Sequence, residues 1–132
     1  MTAPVSDDRP GGARYPYPAP IDTYGNGGFR FAGMSHRGSI LCLPSGIHAW
    51  APLDVSVLAA ADLAAVIAEA QNIELLLLGT GQGLVMPSPE IRATLQASGI
   101  GFEPMSTGAA ARTYNILLGE RRRVAAALIA VT

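Results

Sequence analysis

Two short stretches carry residue types that can hold an anion. Gly79-Thr80-Gly81-Gln82-Gly83 sets three glycines within five residues, and the missing side chains let backbone N–H groups come close to a ligand oxygen. Further along, Thr107-Gly108 opens a segment with helical period, and the first turn of a helix presents unpaired N–H groups and a partial positive charge. Arg112 lies about a turn onward and would add a bidentate donor. The expected ligand set is therefore Gly79, Thr80, Gly81, Thr107, Gly108 and Arg112 around a phosphate or carboxylate. Ordinary turn and cap chemistry is the plainer reading. Leu84-Val85-Met86-Pro87 separates the glycines from the next helix, unlike a dinucleotide fingerprint, and no Lys-Ser or Lys-Thr follows them as in a P-loop. On a helical wheel Arg112 falls about 160° from the apolar stripe, toward solvent.

Other reactive types are sparser. Cys42 would be a nucleophile if His36 or His48 approached it, but a lone cysteine in an apolar strand is usually a small buried hydrophobe. The two histidines with Asp22 or Asp54 lack the spacing of a metal site. No catalytic residue, metal or cofactor is assigned. Glu120-Arg121-Arg122-Arg123 reads as an exposed turn in which one arginine pairs an acid.

For the two loops to share a ligand, the strands before them must run parallel and end at one edge of a sheet. The sequence supplies such elements. Ile73 to Leu78 is a continuous apolar run, closed by Gly79, that reads as a buried strand. Ser88 caps a helix with Pro89 at its first position, Ile91 and Leu95 on one side and Gly99 at its end. A short strand, Gly101 to Pro104, leads to a helix capped by Thr107, striped with Ala110, Ala111, Tyr114, Leu117 and Leu118, and stopped by Gly119. The last strand lies within Arg123 to Val131, and an earlier helix between Leu58 and Gln71 buries Leu63, Val66, Ile67 and Ala70. Upstream, Asn26-Gly27 predicts a hairpin between Ile21–Tyr24 and Gly28–Gly33. Gly38–Leu43 is a central strand, and Ile47–Trp50 follows it. The fold class is α/β: one three-layer domain over residues 20–132, its mixed sheet begun by an antiparallel meander and completed by alternating helices and strands.

The chain has 132 residues, 49% apolar and 14% charged, with nine arginines, no lysine and a net charge of -1. That balance offers nucleic acid no general attraction, and no apolar run approaches the eighteen or so residues of a membrane span. One cysteine excludes an internal disulfide framework. Five of the ten prolines fall in the first twenty residues, so residues 1–19 are expected to form an extended, solvated, disordered tail. Nothing in it reads as a targeting signal, and the expected setting is cytoplasmic.

The order of motifs resembles a known family. Ile21-Asp22-Thr23-Tyr24-Gly25, Gly28-Phe29-Arg30-Phe31, Gly38-Ser39-Ile40-Leu41 and Trp50 are similar to it. So are Leu78-Gly79-Thr80-Gly81, Gly99-Ile100, Thr107 to Leu117 and Arg123-Val124-Ala125-Ala126-Ala127-Leu128-Ile129. The family is that of the third mitochondrial complex I assembly factor, with stand-alone bacterial and archaeal proteins and an adipogenesis-associated vertebrate protein. The resemblance implies a three-layer α/β domain and a role in binding partners during assembly, without implying a reaction.

Ala109 and Ile116 form a second apolar strip, about 160° from the first, on the helix that begins at Thr107. With Trp50 and Met86 expected near loop edges, that strip suits a protein partner or a second copy of the chain. A non-enzymatic interaction or assembly role is expected first, and an anion-binding or enzymatic domain built on the two loops is the alternative.

Overall fold

In a computed structural model, which describes residues 14–132, Asn26 and Gly27 take φ of 53° and 79°. Two successive positive values make the two-residue turn that Asn-Gly favours, and β2 (Ile21–Gly25) folds back on β3 (Gly28–Phe31) as expected. A second hairpin of the same kind follows without an Asn-Gly signal. Ala32 and Gly33, at φ 50° and 76°, turn β3 into β4 (Met34–Arg37).

Gly38, at φ 98°, then redirects the chain out of this three-stranded sheet and into β5 (Ser39–Leu43), which pairs with β6 (Gly46–Trp50). The expected meander is thus divided between two sheets, because one glycine accepts a backbone turn that other residues rarely adopt. Tyr15 also differs from expectation. Arg14–Tyr15 is a short strand, β1, along the edge of β6, and a Cβ at Gly46 would collide with the Tyr15 carbonyl. The glycine lets the segment dock, so residues 14 and 15 are not a solvated tail and Ala19 joins the core. Residues 1–13 of the expected tail lie outside the described residues.

The second half supplies α1 (Ala64–Ala68), β7 (Leu75–Gly79), α2 (Pro89–Ala97), β8 (Gly101–Met105), α3 (Thr107–Gly119) and β9 (Val124–Leu128). The larger sheet runs β1-β6-β5-β9-β7-β8. It is antiparallel as far as the β5–β9 pair and parallel between β9, β7 and β8. Period-two alternation divides its side chains between two cores. Leu41, Leu76, Leu78, Ala125 and Ala127 meet Val66, Ile91 and Leu95 on the side of α1 and α2. Ile40, Cys42, Leu77, Ala126 and Leu128 meet Phe29, Phe31 and Tyr114 on the side of the small sheet and α3. Burying each large apolar side chain contributes about 1.5–3 kcal/mol, and both cores converge on the central strand β9. The architecture is the expected mixed α/β fold in three layers.

The helix expected between Leu58 and Gln71 is broken. Only Ala64–Ala68 is α-helical, between 3-10 turns at Ala60–Leu63 and Ala70–Asn72. Its two ends are tied to the sheet instead of to each other: Trp50 Nε1 donates to Asp62 O at 2.8 Å, and Ser45 donates through N and Oγ to the Glu69 carboxylate at 2.9 and 2.6 Å. Tertiary bonds override the strong helix propensity of an alanine-rich run. The same bond takes Trp50 into the core, so it is not at an exposed loop edge.

Candidate functional site

The parallel register Leu75↔Gly101 through Gly79↔Met105 brings the exits of β7 and β8 to one edge, and β9 arrives there beside them. The two loops read from the sequence therefore meet. Their contact is close: a Cβ on Gly79 would lie 3.0 Å from Thr107 Cα and 2.9 Å from Leu128 Cδ2.

What the loops make together is a closed lattice. The Thr80 amide donates to Met105 O at 2.8 Å, the Thr107 amide to Gly81 O at 2.8 Å, and the Gly81 amide to Thr107 Oγ1 at 3.0 Å. Thr107 Oγ1 donates onward to Ile129 O at 2.7 Å, while Ile129 N–H donates to Gly79 O at 3.0 Å. Thr80 Oγ1 donates to Gly83 O at 2.7 Å and accepts from Val85 N–H at 3.0 Å. Both threonines are buried. Three of the amides expected to face an anion are turned inward, where leaving them unpaired would cost about 1–3 kcal/mol each. The lattice pins the rim of the parallel strands.

The start of α3 is likewise occupied. Ser106, not Thr107, is the N-cap, its Oγ accepting from Ala109 N–H at 3.3 Å. Thr107 is the first helical residue, with its hydroxyl committed to Ile129 O just past β9. Gly108 is buried beneath Tyr24, whose Oη occupies the space a Cβ would need. Arg112 points outward and is exposed. Spacings of three and four residues align it with Ala109 and Ile116, so it belongs to the outer face of α3 and not to the rim. Ile116 is 61% exposed and Ala109 half-buried. Met86 is exposed, as are Leu84 and Val85 beside it.

Cys42 is fully buried, and burial pushes its thiol far above the ordinary range, so the nucleophilic thiolate is suppressed. His48 lies opposite Leu41 in the β5–β6 ladder, on the other face from Cys42, and its Nε2 is 2.8 Å from Ser45 Oγ. His36 is buried with Nε2 3.2 Å from Ser39 O. In the Glu120–Arg123 turn, Arg122 pairs with Glu74 at 3.2 Å in the open.

Asn115 escaped the sequence reading. Its side chain accepts from Ile21 N–H and donates to Ile21 O, both at 2.8 Å, binding the edge of the small sheet to α3. A polar residue inside a helical period gives no sign of such a distant partner.

The family described as protein of unknown function (DUF498/DUF598) matches residues 21–129. The chain belongs to this family. Among its relatives is an uncharacterized protein of Rhodobacter capsulatus, 44% identical over 110 residues, or 83% of each chain. NADH dehydrogenase [ubiquinone] 1 alpha subcomplex assembly factor 3 of Xenopus tropicalis is 31% identical over 109 residues, 83% of this chain and 60% of that protein. This chain therefore corresponds to less than two thirds of the vertebrate assembly factor. A crystal structure of a Bartonella henselae protein, described as an outer membrane protein, is similar at TM-score 0.86 and 51% identity, covering 89% of this chain and 99% of that one. The family thus joins bacterial proteins of unknown function to a complex I assembly factor, in line with the resemblance read from the motifs. Among the described residues no helix is long and apolar enough to cross a membrane.

Proposed function

We propose that this chain is a non-catalytic binding module that assists assembly of a membrane-bound NADH dehydrogenase from the cytoplasmic side. The observation that carries the reading is the outer face of α3. Ala109, Arg112 and Ile116 stand in one row on a helix whose opposite side, Ala110, Ala111 and Tyr114, is already buried against the sheet. An aliphatic side chain flanked by a cation suits a protein partner, since interface cores favour apolar groups together with arginine. Kinship with a vertebrate assembly factor gives that partner its class.

The test is genetic and biochemical together. Deleting the chain from its host should reduce assembled NADH dehydrogenase on native gels, and the wild-type chain should restore it. The Ile116→Asp chain, with unchanged circular dichroism and melting temperature, should restore little. Unchanged amounts of the complex after deletion would overturn the assembly role, and full rescue by Ile116→Asp would remove this face from it.

A further inference from the structure

The edge of the larger sheet that carries the β7 exit also carries the exit of β6. Ser39 pairs with Trp50, Ile40 with Leu128, and Leu128 with Gly79. β6 therefore runs in the direction of β9 and β7, and the chain leaves Trp50 at the same rim as Gly79. Three strand spacings, about 14 Å, separate the two exits. The segments that follow rejoin on the α2 side of the sheet. Val55 and Leu58 share a core with Ile91, and the 3-10 turn Ala60–Leu63 packs against α2.

Both segments turn apolar side chains outward. Leu53 and Val57 on the first, with Leu84, Val85 and Met86 on the second, are 46–72% exposed. Their backbone is fixed. Pro52, Val55 and Leu58 are buried along the first segment and Pro87 along the second. Asp54 Oδ1 accepts from Ser56 N–H at 2.9 Å and from Ser56 Oγ at 2.8 Å, which sets the turn between Leu53 and Val57. Thr80 Oγ1 sets the other loop through its bonds to Gly83 O and Val85 N–H. Apolar side chains gathered on a preset backbone can be covered by a partner at little cost in ordering.

Charge says what kind of partner. From Gly38 to Ile91 the chain has no lysine or arginine and five acids. Asp54 and Glu90 stand on the two rim segments themselves, and both are exposed. The Ser56 bonds hold the Asp54 carboxyl below its ordinary range, so it is ionised at neutral pH. Arg92, the next cation, stands about 200° round α2 from Glu90. Arg37 and Arg112 lie across the sheet, in the layer of the small sheet and α3. An anionic membrane surface would meet repulsion from these acids. A twofold second copy would set Asp54 and Glu90 against their own kind. A partner with apolar and basic side chains meets both features of the rim.

We propose that the rim formed by Leu53–Val57 and Leu84–Met86 binds a basic amphipathic helix of another protein. The spacing of the two exits matches between two and three turns of such a helix, at about 5.4 Å per turn. The rim lies across the sheet from the outer face of α3, so the site stands or falls apart from Ile116.

The full chain would be titrated with a synthetic amphipathic leucine–lysine peptide of about four helical turns, and backbone amide shifts would be followed. Saturable shifts are expected at Leu53–Val57 and Leu84–Glu90, with none from a leucine–glutamate peptide of the same spacing. Leu53→Ser/Met86→Ser, at exposed positions, should weaken binding at least about tenfold. Asp54→Asn keeps the acceptor for Ser56 while removing the charge. Combined with Glu90→Gln it should weaken binding about fivefold and flatten its salt dependence. Arg92→Gln and Ile116→Ser are controls and should not weaken it. Absent saturation, equal binding of the glutamate peptide, shifts confined to other surfaces or full affinity in either double variant would overturn the proposal. So would a rim that ignores the peptide yet binds phosphatidylglycerol vesicles, which would assign it to lipid. Self-association of the chain in sedimentation, abolished by Leu53→Ser/Met86→Ser, would assign it to a second copy and overturn the proposal equally.

Discussion

Cys42 sits in β5 with no exposure to solvent, and burial holds its thiol proton far above the ordinary range. The Tyr114 phenol is held up too, by burial first and by Cys42 second. The sign of the resulting pH dependence follows from proton counting. Above about pH 8.5 an unfolded chain releases the thiol proton while the native state keeps it, so the unfolded state is favoured as pH rises. The stability associated with Cys42 is complete below that pH and is lost above it, by up to about 1.4 kcal/mol per unit. Denaturation midpoints should therefore fall between pH 8 and 10, and Cys42→Ala should flatten the decline by one group's share. An unchanged slope in the variant would place the loss elsewhere. The buried small-hydrophobe reading of Cys42 was available from its apolar neighbours in sequence. The bond that Ser39 Oγ accepts from Ala130 N–H, and those that Asn115 makes to Ile21, were not, since these partners lie 91 and 94 residues away.

The ends of α2 and α3 use the same device with different residues. After α2, Gly99 at φ 82° donates to Gln96 O and Ile100 donates to Leu95 O. After α3, Arg121 at φ 61° donates to Leu118 O and Arg122 donates to Leu117 O. Each pair of bonds satisfies carbonyls left open at a helix end, with a left-handed residue just past the cap. Glycine marks the first stop plainly in the sequence. At the second, Gly119 is the last helical residue, and the left-handed position falls two residues later on an arginine. The expected stop at Gly119 was thus close in position and wrong in mechanism. A side chain in that conformation costs about 1–2 kcal/mol, partly offset by the greater freedom glycine has when unfolded. Arg121 is exposed and Arg122 makes the Glu74 pair, so Arg121→Gly removes little else. It should raise stability by about 0.5–1 kcal/mol in a denaturant titration. A loss of stability would show that the arginine makes a favourable contact outweighing its backbone cost.

At the scale of the molecule, the described residues form two sheets that share one of two cores, a relation the sequence left hidden. Alternating apolar runs announce strands, but they do not say whether successive hairpins extend one sheet or start another. Here the decision rests on Gly38, whose positive φ turns β5 away from β4. Conversely, the parallel β7–β8 pair and its common edge were legible, because helical periods between apolar runs demand crossovers. Their chemistry was not legible: whether loop amides face inward or outward depends on partners such as Thr107 Oγ1, visible only in three dimensions. The shared core carries a consequence for cooperativity. Phe31, fully buried in β3, packs in a cluster with Ile40 and Ile47 of the larger sheet and Tyr114 of α3. Asn115 adds two bonds to β2 from α3, and Gly27 N–H donates to Val131 O at 2.8 Å beyond β9. A three-stranded sheet held from three sides should unfold with the rest of the chain. Phe31→Ala should therefore cost about 3–5 kcal/mol overall, instead of loosening the small sheet alone. Denaturant titration with amide signals resolved should show Arg30 in β3 and Leu77 in β7 losing native intensity at one shared midpoint, lower in the variant. Earlier loss at Arg30 would mean that the small sheet is an independently melting unit, and that the contacts across the shared core contribute less than their burial implies.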